Sequence, residues 1–275
     1  MQLTSSQGVL GHPESNRWLL LLARGGYAVK GVVYGIMGAL ALAFALGAGG
    51  KLGGGKETVE HVGRQPFGDA ALVVIGVGLL AYALWRAVEA LTDPHHEGSS
   101  PKGIAMRLGA LFSALVNGAV GVAALQLVLL GDDPSGGGAK GLAATLMREP
   151  LGLIVVGVLG AAVTFVGVHQ VYSGFTDRFT KHVEMSSLSS KQRAWVLWSG
   201  RVGHVARGIV FAIIGVALIQ TALTTNPNQA KDVGEALREL AQQPFGPLLL
   251  ISVAFGLLAY GVHLVTTVPY RRLIG

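Results

Sequence analysis

Six long apolar stretches alternate with shorter polar segments along the chain. They lie at residues 18–46, 69–91, 104–131, 150–173, 198–223 and 245–268. A helix needs about 20 mainly apolar residues to cross the hydrocarbon core of a bilayer, and each stretch reaches that length. The pattern therefore predicts an all-α integral membrane protein with six transmembrane helices, and the even number places both termini on the same side.

An internal repeat joins these helices in pairs. The odd helices carry equivalent arginines, Arg24, Arg107 and Arg201, at separations of 83 and 94 residues. Each even helix follows a proline motif, which reads QPFG, EPLG and QPFG in turn. Proline suits the first turn of a helix. The sequence thus predicts one membrane domain (1–275) made of three tandem two-helix repeats. The repeats are residues 18–95, 101–180 and 195–272.

A short amphipathic segment precedes each proline motif. In the third copy, four apolar residues share one helical face: Val233, Ala236, Leu237 and Leu240. Such a helix is expected to lie flat on the membrane surface. By closure of the repeat we expect a pseudo-threefold bundle with a short interfacial helix before each even helix. A linear array of repeats is the alternative.

The composition supports a membrane location and excludes some kinds of chemistry. Of 275 residues, 51% are hydrophobic and 13% charged, and the mean hydropathy is +0.53, too apolar for an ordinary soluble domain. There is no cysteine, which excludes disulfides, thiolate metal sites and cysteine nucleophiles. The net charge is +6. In a membrane protein such an excess sets topology and meets anionic lipid more often than it binds nucleic acid.

The motifs of the three copies resemble those of a known family. The first copy contains GYAVKGVVYGIMGALALAFALG and the third contains HVARGIVFAIIGVALI. The two QPFG motifs are followed by GLLAYALWRAVEAL and GLLAYGVHLV. With these features the chain resembles the bacterial membrane proteins grouped as the domain of unknown function 1206 family, over nearly its whole length after residue 20. The resemblance implies this architecture and a bacterial inner-membrane location, and it implies no biochemical role.

The distribution of basic residues predicts the orientation. Of the 21 lysines and arginines, 14 lie on the side of the termini and 7 on the other. Because basic residues are enriched on the cytoplasmic side of membrane proteins, we expect both termini in the cytoplasm.

Ionisable and aromatic residues are concentrated where the odd helices begin and the even helices end. Ionisable groups inside a membrane are costly, about 2.5–3.5 kcal/mol near its centre, so they are functional candidates. The candidate ligand-binding residues are Tyr27, Lys30, Tyr82, Trp85, His169, His204, Arg207, Tyr260 and His263. We expect them to line a basic and aromatic pocket that opens to the cytoplasm and binds or passes a small anionic or lipid ligand.

Two other interpretations of these residues stay open. Lys30 and Arg207 are within reach of the membrane surface by snorkelling, and aromatic and histidine side chains are common in the interfacial belt. The three histidines (His169, His204 and His263) are also candidates for a metal site or for haem, because axial ligation uses histidines from different helices. The second copy has Ser113 where the others have Lys30 and Arg207, so three equivalent sites are not expected.

The chain lacks the sequence signs of catalysis. It has no Ser-His-Asp order, no HExxH run and no paired carboxylates in the apolar stretches. We therefore expect a non-enzymatic protein without a resident cofactor, with haem as the alternative cofactor. The alternative functions are a structural or accessory subunit that packs through glycine faces, such as Gly31, Gly35 and Gly38, and a haem or metal electron-transfer protein. The expected partners are membrane lipids and a second copy or another membrane protein, not nucleic acid.

Overall fold

The computed structural model describes residues 13–50, 52–92, 101–131 and 138–271. These residues form nine α-helices: α1 (Pro13–Ala45), α2 (Gly55–Gly63), α3 (Gly68–Thr92), α4 (Pro101–Leu130), α5 (Gly138–Met147), α6 (Gly152–Phe175), α7 (Ser190–Thr224), α8 (Val233–Gln242) and α9 (Gly246–Thr267). Six of them, α1, α3, α4, α6, α7 and α9, are long and apolar enough to cross a membrane. The predicted all-α membrane fold is confirmed.

The short helices α2, α5 and α8 stand where the amphipathic segments were predicted, ahead of the three even spanning helices. The apolar face of α8 packs on the bundle rather than on lipid. Ala236 and Leu237 are fully buried, and they share a core cluster with Val210 of α7 and Leu250 of α9. The sequence predicted that the apolar face of α8 binds the membrane surface, but this face packs on the end of the bundle instead.

The proline motifs form one kind of tight turn. In the first, the Gly68 amide donates to the Gln65 carbonyl at 2.9 Å, and Phe67 between them has a left-handed φ of 64°. The equivalent residues of the other two motifs have φ values of 67° and 61°. A Cβ atom on Gly68 would lie 2.4 Å from the Gly63 carbonyl oxygen. The motif glycine is therefore required by the close approach of the preceding short helix.

The spanning helices pack along five seams, each between two neighbouring helices. Between repeats, α1 packs on α9, α3 on α4 and α6 on α7. Within the first and third repeats, α1 packs on α3 and α7 on α9. The two helices of the second repeat, α4 and α6, make few or no close contacts in the described residues. The contacts thus follow one order, α4–α3–α1–α9–α7–α6, which is the order expected of a pseudo-threefold bundle whose α4–α6 seam is open.

Equivalent glycines on the odd helices show how the open seam differs from the closed ones. A Cβ atom on Gly26 would lie 2.6 Å from Tyr82 Cα, and one on Gly203 would lie 2.6 Å from Tyr260 Cα. The equivalent Gly109 has no such neighbour within 4 Å. The helices of the second repeat are therefore apart at the level where those of the other two repeats touch.

Side-chain size accounts for this difference. In the third repeat, a Cβ atom on Gly256 would lie 2.2 Å from the Ala206 Cβ. The second repeat has Ala162 and Phe112 at these two positions, and both are exposed. A methyl group facing a phenyl ring cannot pack at the distance of a glycine facing an alanine. The second repeat therefore lacks the even-helix glycine of the two closed seams, which is Gly256 in the third repeat and Gly78, packed on Val29, in the first.

The predicted glycine faces lie at the seams between repeats. Cβ atoms on Gly31 and Gly38 would lie 2.8 Å from the Gly261 carbonyl oxygen and 2.4 Å from the Leu258 amide nitrogen of α9. Such contacts let helix backbones approach closely in a membrane. This glycine face of α1 is occupied by α9 within the same chain.

Candidate functional site

Lys30 points into the bundle from α1. Its side chain is only 3% exposed, and Nζ donates a hydrogen bond of 2.8 Å to the Tyr82 hydroxyl on α3. The same hydroxyl lies 3.3 Å from the Ser113 Oγ on α4. The Lys30 ammonium therefore ends inside the bundle, and the snorkelling interpretation does not hold for this residue.

Arg207 occupies the repeat position of Lys30 on α7 and also points inward. Its guanidinium donates to three neutral oxygens, at 3.0 Å to the Tyr34 hydroxyl, 2.8 Å to Gln170 Oε1 and 3.1 Å to the Tyr260 hydroxyl. These acceptors belong to α1, α6 and α9, so one side chain joins three helices to α7. The sequence prediction named Tyr260 in this group but missed Tyr34 and Gln170.

A cation paired with a tyrosine occurs in two of the three repeats. The pair is Lys30 with Tyr82 in the first repeat and Arg207 with Tyr260 in the third. The second repeat has Ser113 and Val166 at these positions. The second repeat therefore lacks both the cation and the tyrosine, and it is also the repeat whose two helices do not pack on each other.

Aromatic rings extend this cluster toward the termini. Tyr27 contacts Tyr82 edge to face, with 5.0 Å between ring centroids. The Arg271 guanidinium carbon lies 3.8 Å from the centroid of the Tyr27 ring. Tyr27, Tyr82, Trp85 and Tyr260 belong to one buried cluster. The structure thus brings the predicted residues of the first and third repeats together.

His204 and His263 pack around Phe179, which lies in a short 3₁₀ helix at Arg178–His182. The ring centroids of the two histidines are 5.6 Å apart, and they lie 4.8 Å and 5.3 Å from the Phe179 centroid. His204 Nδ1 donates to the Gly200 carbonyl at 2.8 Å. Because these three rings are in mutual contact, the two imidazoles are not spaced as the axial pair that the haem alternative would use.

His169 lies apart from the other two histidines. It is exposed on α6, where its ring stacks on Phe165 at 6.4 Å. In the described ranges, no three histidine or acidic side chains are placed so that they could hold a metal ion. The structure therefore does not bring His169, His204 and His263 together as the metal hypothesis requires.

Hydrogen-bond donors and positive charge predominate in this layer. Arg86 pairs with Glu89 at 2.6 Å, whereas the bonds of Lys30 and Arg207 described above all go to neutral groups. Among the described residues, Arg86 Nε, Arg271 Nε and Gln170 Nε2 are buried donors with no hydrogen-bond partner. Because nearly all buried polar groups in proteins are hydrogen-bonded, three such donors in one layer call for a specific explanation.

An open cavity lies away from this cluster. That cavity, of about 330 Å³, is bounded by α2, the start of α3 and the end of α4. None of the predicted site residues lines it. The predicted residues instead pack against one another inside the bundle, where Lys30, Tyr82, Trp85, Tyr260 and His263 are at most 5% exposed.

Comparison with known proteins agrees with the repeat structure. A family model described as Domain of Unknown Function (DUF1206) matches residues 25–93, 108–177 and 202–268. The chain belongs to this family. One relative of this DUF1206 protein is "Uncharacterized protein YxxB" of Bacillus subtilis (strain 168), which is 32% identical over 260 residues, 94% of each chain. No solved structure matches the chain.

Each segment matched by the DUF1206 model covers most of one odd helix and the whole of one short helix and one even helix. The predicted membership in this family is confirmed, and with it the predicted architecture of three tandem repeats.

Proposed function

We propose that this protein binds an anion inside the membrane, in the space between Lys30 and Arg207, and that it is not an enzyme. One observation carries the proposal: two cations at equivalent repeat positions point into the bundle, and their hydrogen bonds go to neutral groups. Burying an ionised group without a counter-charge costs several kcal/mol. Ionisable residues within a membrane therefore mark functional sites by default.

The two cations face a common interior. Arg207 bonds to Tyr34, which follows Lys30 by one helical turn and so lies on the same face of α1. Two positive groups on one interior repel each other in a low dielectric, and a bound anion would offset both this repulsion and the cost of burial. An ammonium, a guanidinium and tyrosine hydroxyls are the donors that phosphate and carboxylate groups prefer.

We place this site in the cytoplasmic half of the inner membrane. The support is the excess of lysine and arginine on the side of the termini, together with the general enrichment of basic residues at the cytoplasmic face. An anion would then reach the site from the cytoplasm or from the inner leaflet, which is rich in anionic lipid.

Thermal unfolding of the purified chain tests the anion site directly. The four tryptophans provide the fluorescence signal in a neutral detergent. Raising phosphate at constant ionic strength should raise the melting temperature of the wild type, because a ligand at 100 times its Kd stabilises the folded state by about 2.7 kcal/mol. The double variant Lys30→Met/Arg207→Met should unfold cooperatively and show no phosphate shift.

The matched control is Lys191→Met, which removes an exposed cation at the start of α7 and should keep the full shift. A phosphate shift that survives in the double variant would contradict the proposal. If the wild type shows no shift with phosphate or with acetate, the proposal fails, and the structural-subunit alternative is favoured.

A further inference from the structure

The open seam of the second repeat forms a lateral cleft, which we define as the space between α4 and α6 at the level of Ser113 and Gln170. The other two repeats have no such opening, since α1 packs on α3 and α7 packs on α9. Gly109 on α4, unlike its equivalents, has no neighbour across its seam within 4 Å. Within the described part of the chain, α4 and α6 thus leave this seam open toward the bilayer.

Polar groups of both flanking helices connect the lateral cleft to the two cations. On α4, Ser113 lies against the hydroxyl of Tyr82, to which Lys30 donates. On α6, Gln170 accepts from Arg207 at 2.8 Å. The two ends of this polar path therefore lie on the two helices that border the opening.

Two amide side chains lie at this level, Gln170 on α6 and Asn117 on α4. Gln170 is 7% exposed, and its Nε2 is a buried donor without a partner among the described residues. Asn117, one turn beyond Ser113 on α4, donates to the Ser113 carbonyl at 2.7 Å and is half-buried. A buried amide donor without an acceptor is costly, and an anionic oxygen beside Gln170 would satisfy it.

Repeat equivalence also places His169 at the lateral cleft. Its equivalent His263 faces α7, where its Nδ1 lies 3.4 Å from Ser199 Oγ. His169 therefore lies on the side of α6 that faces α4, and it is exposed because α4 stands away. His169, the predicted residue that lies apart from the buried cluster, thus borders this opening.

The walls of the lateral cleft are apolar. Phe112 and Ala162 occupy the positions of Ala206 and Gly256, which touch each other in the third repeat, so repeat equivalence assigns them to the facing sides of α4 and α6. Both are exposed, as is Val116, one turn beyond Phe112. A site with an apolar entrance and a cationic interior suits an amphiphile with an anionic head, because acyl chains and phosphate would each meet their preferred surroundings.

We infer that the lateral cleft admits an anionic phospholipid, whose phosphate binds toward Lys30, Arg207 and Gln170 while an acyl chain lies between α4 and α6. This inference rests on the proposed function and names its ligand class. A lipid is favoured over a free anion because the opening faces the bilayer at the depth of the apolar spans, where a water-soluble ion is strongly disfavoured.

Lipid retention by the full chain tests this inference. The protein is delipidated in mild detergent, incubated with equal amounts of phosphatidylglycerol and phosphatidylcholine, and analysed by native mass spectrometry. The wild type should retain phosphatidylglycerol preferentially. Gln170→Leu and Asn117→Leu should each weaken retention about fivefold, as expected for one hydrogen bond. Gln220→Leu, at an exposed position near the far end of α7, should have no effect.

A second measurement does not depend on how the variants fold. Phosphatidylglycerol with a diazirine in its acyl chain is photolysed with the wild-type protein, and the labelled peptides are identified. Labels should be concentrated on α4 around Phe112 and Val116 and on α6 around Ala162. An even distribution over all lipid-facing helices would overturn the inference.

The two proposals fail in distinguishable ways. If phosphate stabilises the wild type but phosphatidylglycerol is neither retained preferentially nor cross-linked at the lateral cleft, the anion site stands and the lipid inference is overturned. If neither phosphate nor phosphatidylglycerol has an effect, both are overturned. A phosphate shift together with preferential retention and labels on α4 and α6 supports both.

Discussion

At the scale of single residues, Gly26, Gly109 and Gly203 occupy the same repeat position but meet different surroundings. The first and third lie against the backbone of a tyrosine, whereas Gly109 has open space beside it. Within a helix, replacing glycine by alanine gains roughly 0.5–1 kcal/mol in conformational entropy where there is room. Where there is none, overpacking costs about 1–3 kcal/mol.

Alanine substitution should therefore have opposite effects at these equivalent positions. Gly26→Ala and Gly203→Ala should each lower the melting temperature, because the new methyl group would meet backbone atoms at 2.6 Å. Gly109→Ala should leave it unchanged or raise it. Tryptophan fluorescence during heating measures all three, and an equal loss of stability at Gly109 would show that the second repeat is closed.

The site residues were predictable where the repeat pairs them and not where helices of different repeats meet. Lys30 and Arg207 stand out as cations in apolar stretches, and the tyrosine positions repeat. Tyr34 and Gln170 bond to Arg207 from other repeats, and hydropathy does not show which helices are neighbours across a seam. Ser113 was visible only as a departure from the repeat.

At the scale of elements, α8 begins with a half-buried cap, Asp232. Asp232 accepts a hydrogen bond of 2.8 Å from the Glu235 amide. Burial raises the pKa of Asp232 above its ordinary value, and the nearby negative charges of Glu57 and Glu235 raise it further. Since the folded state then holds the proton more tightly than the unfolded state, this group stabilises the fold most at low pH. Its contribution is lost as pH rises through the raised pKa.

Replacing this carboxyl should change the pH dependence of stability. Asp232→Asn keeps a capping oxygen but does not titrate, so its melting temperature relative to the wild type should increase between pH 4 and pH 7. Asp232→Ala loses the cap and should be less stable than Asp232→Asn by about 1 kcal/mol. A constant offset between Asp232→Asn and the wild type over this range would contradict the burial argument.

The sequence predicted the spanning elements well but not all of their ends. The fifth apolar stretch, 198–223, lies within α7, which begins at Ser190 because Ser189 and Gln192 form a capping box. Hydropathy marks the part of a helix that meets lipid, and a polar extension gives no such signal. The 3₁₀ helix that carries Phe179 was also missed, since five residues are too short to show a period.

At the scale of the whole molecule, the repeat predicts that the two helices of every repeat pack on each other in the same way. In the structure they do so in the first and third repeats and not in the second. The sequence already contained the reason, because Phe112 and Ala162 replace Ala206 and Gly256 of the third repeat. This difference in sequence becomes informative only once the contact between Ala206 and Gly256 is known. Periodicity predicts which positions are equivalent, whereas packing decides which equivalent pairs touch.

Cysteine pairs can test the open seam, because the chain has no cysteine of its own. Ala83→Cys/Gly118→Cys joins α3 to α4, where the two Cβ positions are 3.4 Å apart, close to the usual disulfide spacing of about 3.8 Å. This pair should oxidise readily. Phe112→Cys/Ala162→Cys spans the lateral cleft and should keep both thiols free, as counted by maleimide mass tagging.

Both pairs use α4, so the first is a positive control for the accessibility and chemistry of the second. Rapid and complete oxidation of Phe112→Cys/Ala162→Cys would mean that α4 and α6 are packed together in the membrane.

Because only one seam of the described bundle is open, its interior can be reached from one side only. A ring with three identical openings would accept a ligand from any direction in the plane of the membrane and would hold up to three. With one opening, a ligand that enters sideways does so along one line, and the expected stoichiometry is one per chain. A neighbouring protein that covered α4 and α6 would then control access to the interior without contacting Lys30 or Arg207.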